Sequence, residues 1–498
     1  MPSKKAQVAA AARVLAVCVA VCLTLAPAAA QEAEVLRQRA AQVAGNIVTK
    51  DHAYDYLREM TDKFGGRLGG SPAYERSAQW AAEQFRAMGI RDVRLEPFML
   101  PNGWTRGWAR GRILAPQARQ LYVESLGWSP ATPPGGVSGE VVMISDVSPE
   151  ALKQNAAQLN GRIGLLDFGK LSGGDYLGAL FKLLDAYKAL SDAGLVALVW
   201  PDFDNNNVFN AHDGNWGAHA HPLPMAQIGK EDATLIQRWL KQGVVRIEFE
   251  FANQITGTTQ TYNVVAEIRG RERPEEWVMI GAHLDSWDFG TGAQDNGTGT
   301  AMVLEAARAI AASGQPPRRS VRFALWGAEE EGLLGSFAYV HAHREELTKC
   351  VAYVNTDSGA GHPKGFLVMG REDLRAPVQQ LLDGNLIGLG AENVSLNFHM
   401  GSDHLPFFLH GVPAFDLWVD EAPYNLVHHK PSDTLDKVNR HQLASGAAIV
   451  AVMAFLMAER ADAIGPHAER SAVESILEKN RVKPKEFFER LKGMDLWP

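Results

Sequence analysis

Residues 321–336 read VRFALWGAEEEGLLGS. Val321–Trp326 is apolar apart from Arg322, and the glutamates Glu329-Glu330-Glu331 follow Gly327-Ala328. A short apolar run closed by glycine and acidic residues reads as a buried strand whose carboxyl end opens into a polar loop. The same arrangement recurs on either side. Upstream, the apolar Trp277–Gly281 ends at Ala282-His283-Leu284-Asp285, and a Gly-rich loop carries Asp295-Asn296 just ahead of a helical stretch, Gly299–Ala312. Downstream, Gly335–Leu347 reads as helical and Val351–Val354 ends at Asn355-Thr356-Asp357. Gly365–Met369 is again apolar, Pro377–Ile387 reads as a helix with proline in its first turn, and Ala444–Met457 as a long helix rich in small residues. Such alternation over residues 263–460 predicts an α/β domain built on an open, mainly parallel, doubly wound sheet. Functional groups on such sheets gather beyond the carboxyl ends of the strands.

Away from this region the texture differs. Residues 31–110 read as the N-terminal part of the same domain. They hold a helix marked by Leu36, Ala40, Val43 and Ile47, a Gly-rich turn from Gly65 to Gly70, a second helix through Ala78, Ala81, Phe85 and Met88, and a strand from Val93 to Phe98. Residues 111–262 carry short strands such as Gly139–Ile144 and Arg162–Asp167, broken by Pro130–Gly136 and the Asp/Asn-rich Asp202–Asn207, and predict an inserted α/β module. Residues 461–498 are charged and helical in pattern, without assignable chemistry. Residues 1–30 have the layout of a secretory signal peptide: Lys4, Lys5 and Arg13, the apolar run Val14–Ala26, and Ala28-Ala29-Ala30. That run is too short for a hydrocarbon core of ~30 Å. The expectation is a secreted or periplasmic protein, off the membrane once the signal is cleaved.

Charge and cysteine use narrow the function. The formal charge of −8 becomes −11 when the three basic residues of the signal are removed. An acidic chain without a basic run excludes nucleic acid as a partner. Two of the three cysteines lie in the signal, so Cys350 stands alone and reads as a buried thiol. No H-E-x-x-H helix and no G-x-S-x-G elbow is present. Gly164–Lys170 matches G-x-x-x-x-G-K only by running through a strand, with Leu171 in place of the magnesium-binding hydroxyl. His219 and His221 read as a surface pair on a loop, and Trp287, close to His283, as a wall of the cleft.

His283, Asp285, Asp295, Glu329, Glu330 and Asp357 all fall at a strand end or its adjoining loop, with His428-His429 much later. Two divalent ions ~3.5–4 Å apart can share a carboxylate and a water and polarise a scissile carbonyl. Imidazoles with carboxylates suit zinc. One further carboxylate must stay off the metal to move the proton. Within the three glutamates and the two adjacent histidines the residues alone leave the register open.

The motifs His283-x-Asp285, Asp295-Asn296, Ala328-Glu329-Glu330-x-Gly332-Leu333-x-Gly335-Ser336, Asn355-x-Asp357 and His429-x-x-x-Asp433-Thr434 resemble those of the co-catalytic zinc aminopeptidase/carboxypeptidase family. That family includes bacterial leucyl aminopeptidases and glutamate carboxypeptidases, and the early insertion is similar to that of the plasma glutamate carboxypeptidase type. The resemblance covers the chain from the end of the signal to about residue 460. It implies two zinc ions, one held by His283, Asp295 and Asp357, the other by Glu330, His429 and the shared Asp295. It implies Glu329 as general base and Asp285 as the carboxylate orienting His283, Glu331 and His428 being the neighbours that the motif spacing disfavours. Ser402 and His404, in Gly401-Ser402-Asp403-His404, resemble a substrate-pocket loop. The insertion resembles a protease-associated domain that covers the cleft or mediates homodimerisation. The implied activity is hydrolysis of a terminal bond of dipeptides or short peptides through a metal-bridged hydroxide. A broad aminopeptidase is the near alternative. A receptor-like homologue without metals would lack ligands, and a glutaminyl cyclase relative would lack the insertion.

Overall fold

The computed structural model describes residue 31 and residues 34–497; the signal segment, residues 1–30, lies outside the described residues. Two eight-stranded sheets and a two-stranded ribbon make up the β-structure. The first sheet contains β1 (Asp92–Leu100), β2 (Thr259–Ile268), β3 (Arg273–His283), β4 (Arg319–Trp326), β5 (Cys350–Asn355), β6 (Pro363–Leu367), β7 (Asn393–Ser395) and β8 (Ala414–Val419). Its spatial order is β1-β2-β4-β3-β5-β8-β6-β7. The central four, β4-β3-β5-β8, are parallel, whereas β1 and β2 on one side and β6 on the other join antiparallel. The sheet is therefore parallel at its centre and mixed towards its edges.

Side-chain alternation gives β3 two apolar faces. Val278, Ile280 and Ala282 meet the helices Ala53–Phe64, Thr298–Ala311 and Arg440–Glu459, while Trp277 and Met279 meet Tyr339, Val340 and Phe407 from the other side. Each fully buried branched side chain contributes about 1.5–3 kcal/mol. The helix Arg440–Glu459 is long and apolar enough to cross a membrane, but Leu443 and the residues from Gly446 to Ala458 are buried against this sheet. One predicted boundary moves: the helix expected from Pro377 starts at Glu372, because Leu374 joins Val378 and Leu382 on its buried face.

The second sheet lies wholly within residues 109–251. Its four parallel-paired strands, Val137–Ile144, Ile163–Leu166, Ala197–Pro201 and Met225–Ile228, are flanked by antiparallel ones. This excursion leaves and re-enters between β1 and β2, which pair without interruption from Asp92 opposite Glu267 to Leu100 opposite Thr259. Residues 259–262, read from sequence as part of the insertion, thus belong to the first sheet. Two C-terminal helices, Arg470–Lys479 and Pro484–Gly493, bury Val473, Leu477, Phe487 and Leu491 against Leu367, Met369, Leu405 and Phe408.

Candidate metal centre

β4, β3 and β5 lie side by side, so their carboxyl ends meet: His283 is opposite Trp326, and Gly281 is opposite Asn355. His283 closes β3, Asp357 lies two residues beyond β5, and Glu329 and Glu330 follow the tight Gly327-Ala328 turn after β4. Ala328 has φ 56°, a strained conformation for a residue with a side chain. His429 also adopts a left-handed backbone, with φ 59°, at the end of a short helix, Ala422–Val427.

These side chains converge. His283 Nε2 lies 3.1 Å from Asp357 Oδ1 and 3.3 Å from Asp295 Oδ1. His429 Nε2 lies 3.0 Å from Glu330 Oε2 and 3.3 Å from Asp295 Oδ2. Asp295 thus offers one oxygen to each imidazole, and its buried Oδ2 has no hydrogen-bond partner. Ligand-type atoms of His283, Asp295 and Glu330, and separately of His283, Glu329 and Asp357, all lie within 4.8 Å of one another. Glu329 turns its Oε2 to 3.9 Å from His283 Nε2 and lines a cavity of about 250 Å³ with Asp295, Asp357, Tyr424 and His428.

The electrostatics call for cations. Burial drives the carboxyls of Glu329 and Asp357 up; it pushes Glu330, with the help of Asp295, to about 7. Burial also disfavours the charge on Asp295, yet His283 and His429 hold that carboxyl well below the usual range. Clustered buried carboxylates that raise one another's pKa, alternating with imidazoles, make a donor set that fits divalent zinc.

The supporting residues explain the placement. The His283 Nδ1 hydrogen bond is to the main-chain oxygen of Asp285, at 3.1 Å, and not to its carboxylate, which lies 3.8 Å away and accepts the Glu330 amide instead. Asp433 accepts the amides of Gln294 and Asp295, fixing the Asp295 loop. Arg67, in the Gly-rich turn, is wholly buried and donates to the carbonyls of Gly65, Leu284, Thr291 and Gly292. Glu331 points away from the cavity and accepts the Gly69 amide. His428 reaches Asp295 Oδ2 at 3.5 Å but is more exposed than His429, against which it stacks.

Other readings change. Ser402 and His404 are buried and line neither cleft cavity: Ser402 accepts a hydrogen bond from Asn355, and His404 Nε2 bonds the carbonyl of His399. Ser402 also donates to the Asp357 carboxylate, so it buttresses that side chain from behind the cleft. His221 is not a surface residue, since it is buried with Nε2 2.6 Å from the Asp213 carbonyl, while His219 is exposed. Trp287 packs edge-on against His429, with ring centroids 6.0 Å apart.

Sequence reasoning missed what the insertion contributes. Asn215 and Trp216 line the same cavity as Glu329, and Trp216 Nε1 donates to the Gly332 carbonyl. Ala211 donates its amide to the His429 carbonyl, and Asp204 pairs with Lys430 at 2.7 Å. No local pattern announces contacts between segments more than a hundred residues apart.

Residues 263–454 match the model of peptidase family M28. The chain is 30% identical to carboxypeptidase Q of Mus musculus over 415 residues, covering 82% of this chain and 86% of that protein. Among solved structures it is similar to a peptidase M28 precursor from Shewanella amazonensis SB2B, with TM-score 0.75, 31% identity, and coverage of 88% of this chain and all of the other. It shares the fold of BSAP, a zinc aminopeptidase from Bacillus subtilis, with TM-score 0.61, 22% identity, and coverage of 81% of this chain and 93% of that one. With the imidazoles and carboxylates gathered at the sheet edge, these similarities lead to one conclusion: the chain belongs to peptidase family M28 and is a zinc metallopeptidase.

Proposed function

We propose that the protein is an exported two-zinc exopeptidase that hydrolyses the peptide bond of dipeptides or the terminal bond of short peptides. The observation that carries this reading is Asp295, whose two oxygens face His283 and His429 separately and so suit a shared carboxylate between two cation sites. His283 and Asp357 would complete one site, Glu330 and His429 the other. Bound zinc would supply Lewis acidity to the scissile carbonyl and a water of lowered pKa.

The chain's own groups do the rest. Glu329, outside both ligand sets but lining the cleft, takes a proton from the attacking water and delivers it to the leaving amine. Its largely buried carboxylate, 3.9 Å from His283 and lining the cleft, is placed to carry a proton between two steps. Asp285 and Asp433 hold His283 and the Asp295 loop in place through main-chain hydrogen bonds. Trp216 and Asn215 narrow the cleft from the side of the inserted module, which limits the substrate to short chains.

The test combines metal analysis with a substrate panel. Purified protein should carry about two zinc ions per chain. Glu329→Gln should retain that zinc and lose at least ~10²-fold in kcat, the scale of general acid–base catalysis. Undiminished turnover would remove Glu329 from the mechanism. Free dipeptides, N-blocked peptides and C-amidated peptides separate the two exopeptidase polarities. Rejection of every N-blocked substrate with indifference to C-amidation would make the enzyme a broad aminopeptidase.

A further inference from the structure

Beside the metal centre the cleft widens into a second cavity of about 600 Å³, which shares Asp357, Gly401, Tyr424 and His428 with the first. Its size is that of a small-ligand site. His399 lines it, with a side chain 36% exposed, on the loop that precedes Gly401-Ser402-Asp403-His404.

Several buried polar groups converge on this one half-open imidazole. Asp416, 0% exposed at the centre of β8, places Oδ2 3.0 Å from His399 Nε2. The other Asp416 oxygen accepts the Asn355 amide, which fixes the carboxylate. His404 Nε2 lies 3.0 Å from the His399 carbonyl oxygen, with its ring 4.4 Å from that of His399. As the partner is a carbonyl, Nε2 of His404 is the donor. A buried carboxylate is costly unless it is paired, so this arrangement orients the ring and stabilises its charged form. Burial alone works against that charge, but Asp416, with Asp357 and Glu421 adding to it, holds the His399 pKa above its ordinary value.

The remaining basic groups along the cleft are engaged. Among the described residues lining these cavities they are His428, His429 and Lys430. His428 and His429 stack on each other against Asp295, and Lys430 is paired with Asp204. Glu421, also on the rim, is exposed and adds to the field that favours the charged His399. His399 is the cation left facing the wider cavity.

We propose that His399, held by Asp416, anchors the free carboxylate of a dipeptide substrate in this cavity and thereby sets the polarity of cleavage. This rests on the exopeptidase reading above, which left the polarity open. A hydrogen bond between charged partners at a partly exposed site corresponds to about a tenfold to hundredfold preference for the free carboxylate over its amide.

The test is calorimetric binding of an alanyl dipeptide and of its C-terminal amide to the full zinc-loaded chain. Glu329→Gln is present to stop turnover, with and without His399→Gln. The dipeptide should bind at least about tenfold more tightly than the amide, and His399→Gln should abolish that preference. His399→Lys, which restores a cation, should recover part of it. Equal binding of the two ligands, or a preference that survives His399→Gln, overturns the proposal. With Glu329 intact, the loss in His399→Gln should fall on KM for the dipeptide more than on kcat. An equal fall in kcat on dipeptide and amide, with KM unmoved, assigns His399 to the reacting carbonyl and also overturns it. If the unsubstituted chain turns over neither ligand but the binding preference and its loss persist, the exopeptidase reading fails while the carboxylate anchor stands.

Discussion

Arg67 offers a quantitative test of how the metal-binding loop is held. It is 0% exposed, and its guanidinium donates to Leu284 O at 2.8 Å, Gly65 O at 2.9 Å, Thr291 O at 2.7 Å and Gly292 O at 3.0 Å. Burial lowers its pKa to about 10 against the opposing carboxylates of Asp433, Asp285, Glu330 and Asp295, so it stays charged at neutral pH. Arg67→Met keeps most of the volume and removes all four hydrogen bonds. At a net ~1 kcal/mol each, the loss is about 4 kcal/mol, a large share of a total of roughly 5–15 kcal/mol. Two of the four carbonyls, Thr291 and Gly292, lie four and three residues before Asp295 on the same loop, so zinc affinity should fall together with stability. Arg67→Lys keeps the charge, but a single ammonium cannot span four carbonyls, and the loss should be intermediate. Urea denaturation of the metal-free proteins, followed by circular dichroism, measures the first effect, and zinc titration the second. A destabilisation by Met below about 1 kcal/mol, with unchanged zinc affinity, would refute the view that this side chain ties the Gly-rich turn to the metal loop.

The two neighbouring histidines should separate on metal content. His429→Ala, which removes the group facing both Asp295 and Glu330, should lower bound zinc to roughly one ion per chain, whereas His428→Ala should keep both; elemental analysis decides. Acid stability should depend on His221, which burial pushes down to about 4 from an ordinary 6.5. Because the unfolded chain binds this proton and the folded one does not, stability should fall as pH drops from 6.5 towards 4. His221→Asn should lessen that slope by up to about one proton, and denaturation midpoints measured across the window would expose an unchanged slope.

The parts of the molecule legible in the sequence are those where a short apolar run meets a polar end. Trp277–Gly281, Val321–Trp326 and Val351–Val354 all lie in central parallel strands, and His283, Glu330 and Asp357 meet beyond them. Position along a strand is a local property, and period-two alternation reports it. Arg67 was illegible because a buried arginine and a surface arginine look alike until the carbonyls around it are known. Ser402 and His404 entered only through the resemblance to a substrate-pocket loop, and their burial, with hydrogen bonds to Asn355 and the His399 carbonyl, has no local signature. His399, two residues before Gly401, carried no local signal, since its partner Asp416 comes from β8. The mixed edges of the sheet escaped because strand direction is set by connection and pairing, which composition does not encode.

The insertion cannot be treated as an appendage to an otherwise complete site. Trp216 donates to the Gly332 carbonyl, and Gly332, at φ +115°, has no room for a side chain: a Cβ there would lie 1.8 Å from Trp216 Cδ1. The indole in turn stacks on Phe181, with centroids 6.1 Å apart, from the helix Tyr176–Asp192. Arg490 of the C-terminal helix covers Phe181 at 4.7 Å, donates to its carbonyl at 2.8 Å and pairs with both oxygens of Asp185. A continuous run of contacts therefore links the last helix, the insertion and the loop bearing Glu329 and Glu330. Exposed ion pairs are weak individually, but this one is bidentate and lies beside the Phe181 ring that stacks on Trp216. The charged tail, which displayed no chemistry of its own, thus reaches the cleft through Phe181, on which Trp216 stacks.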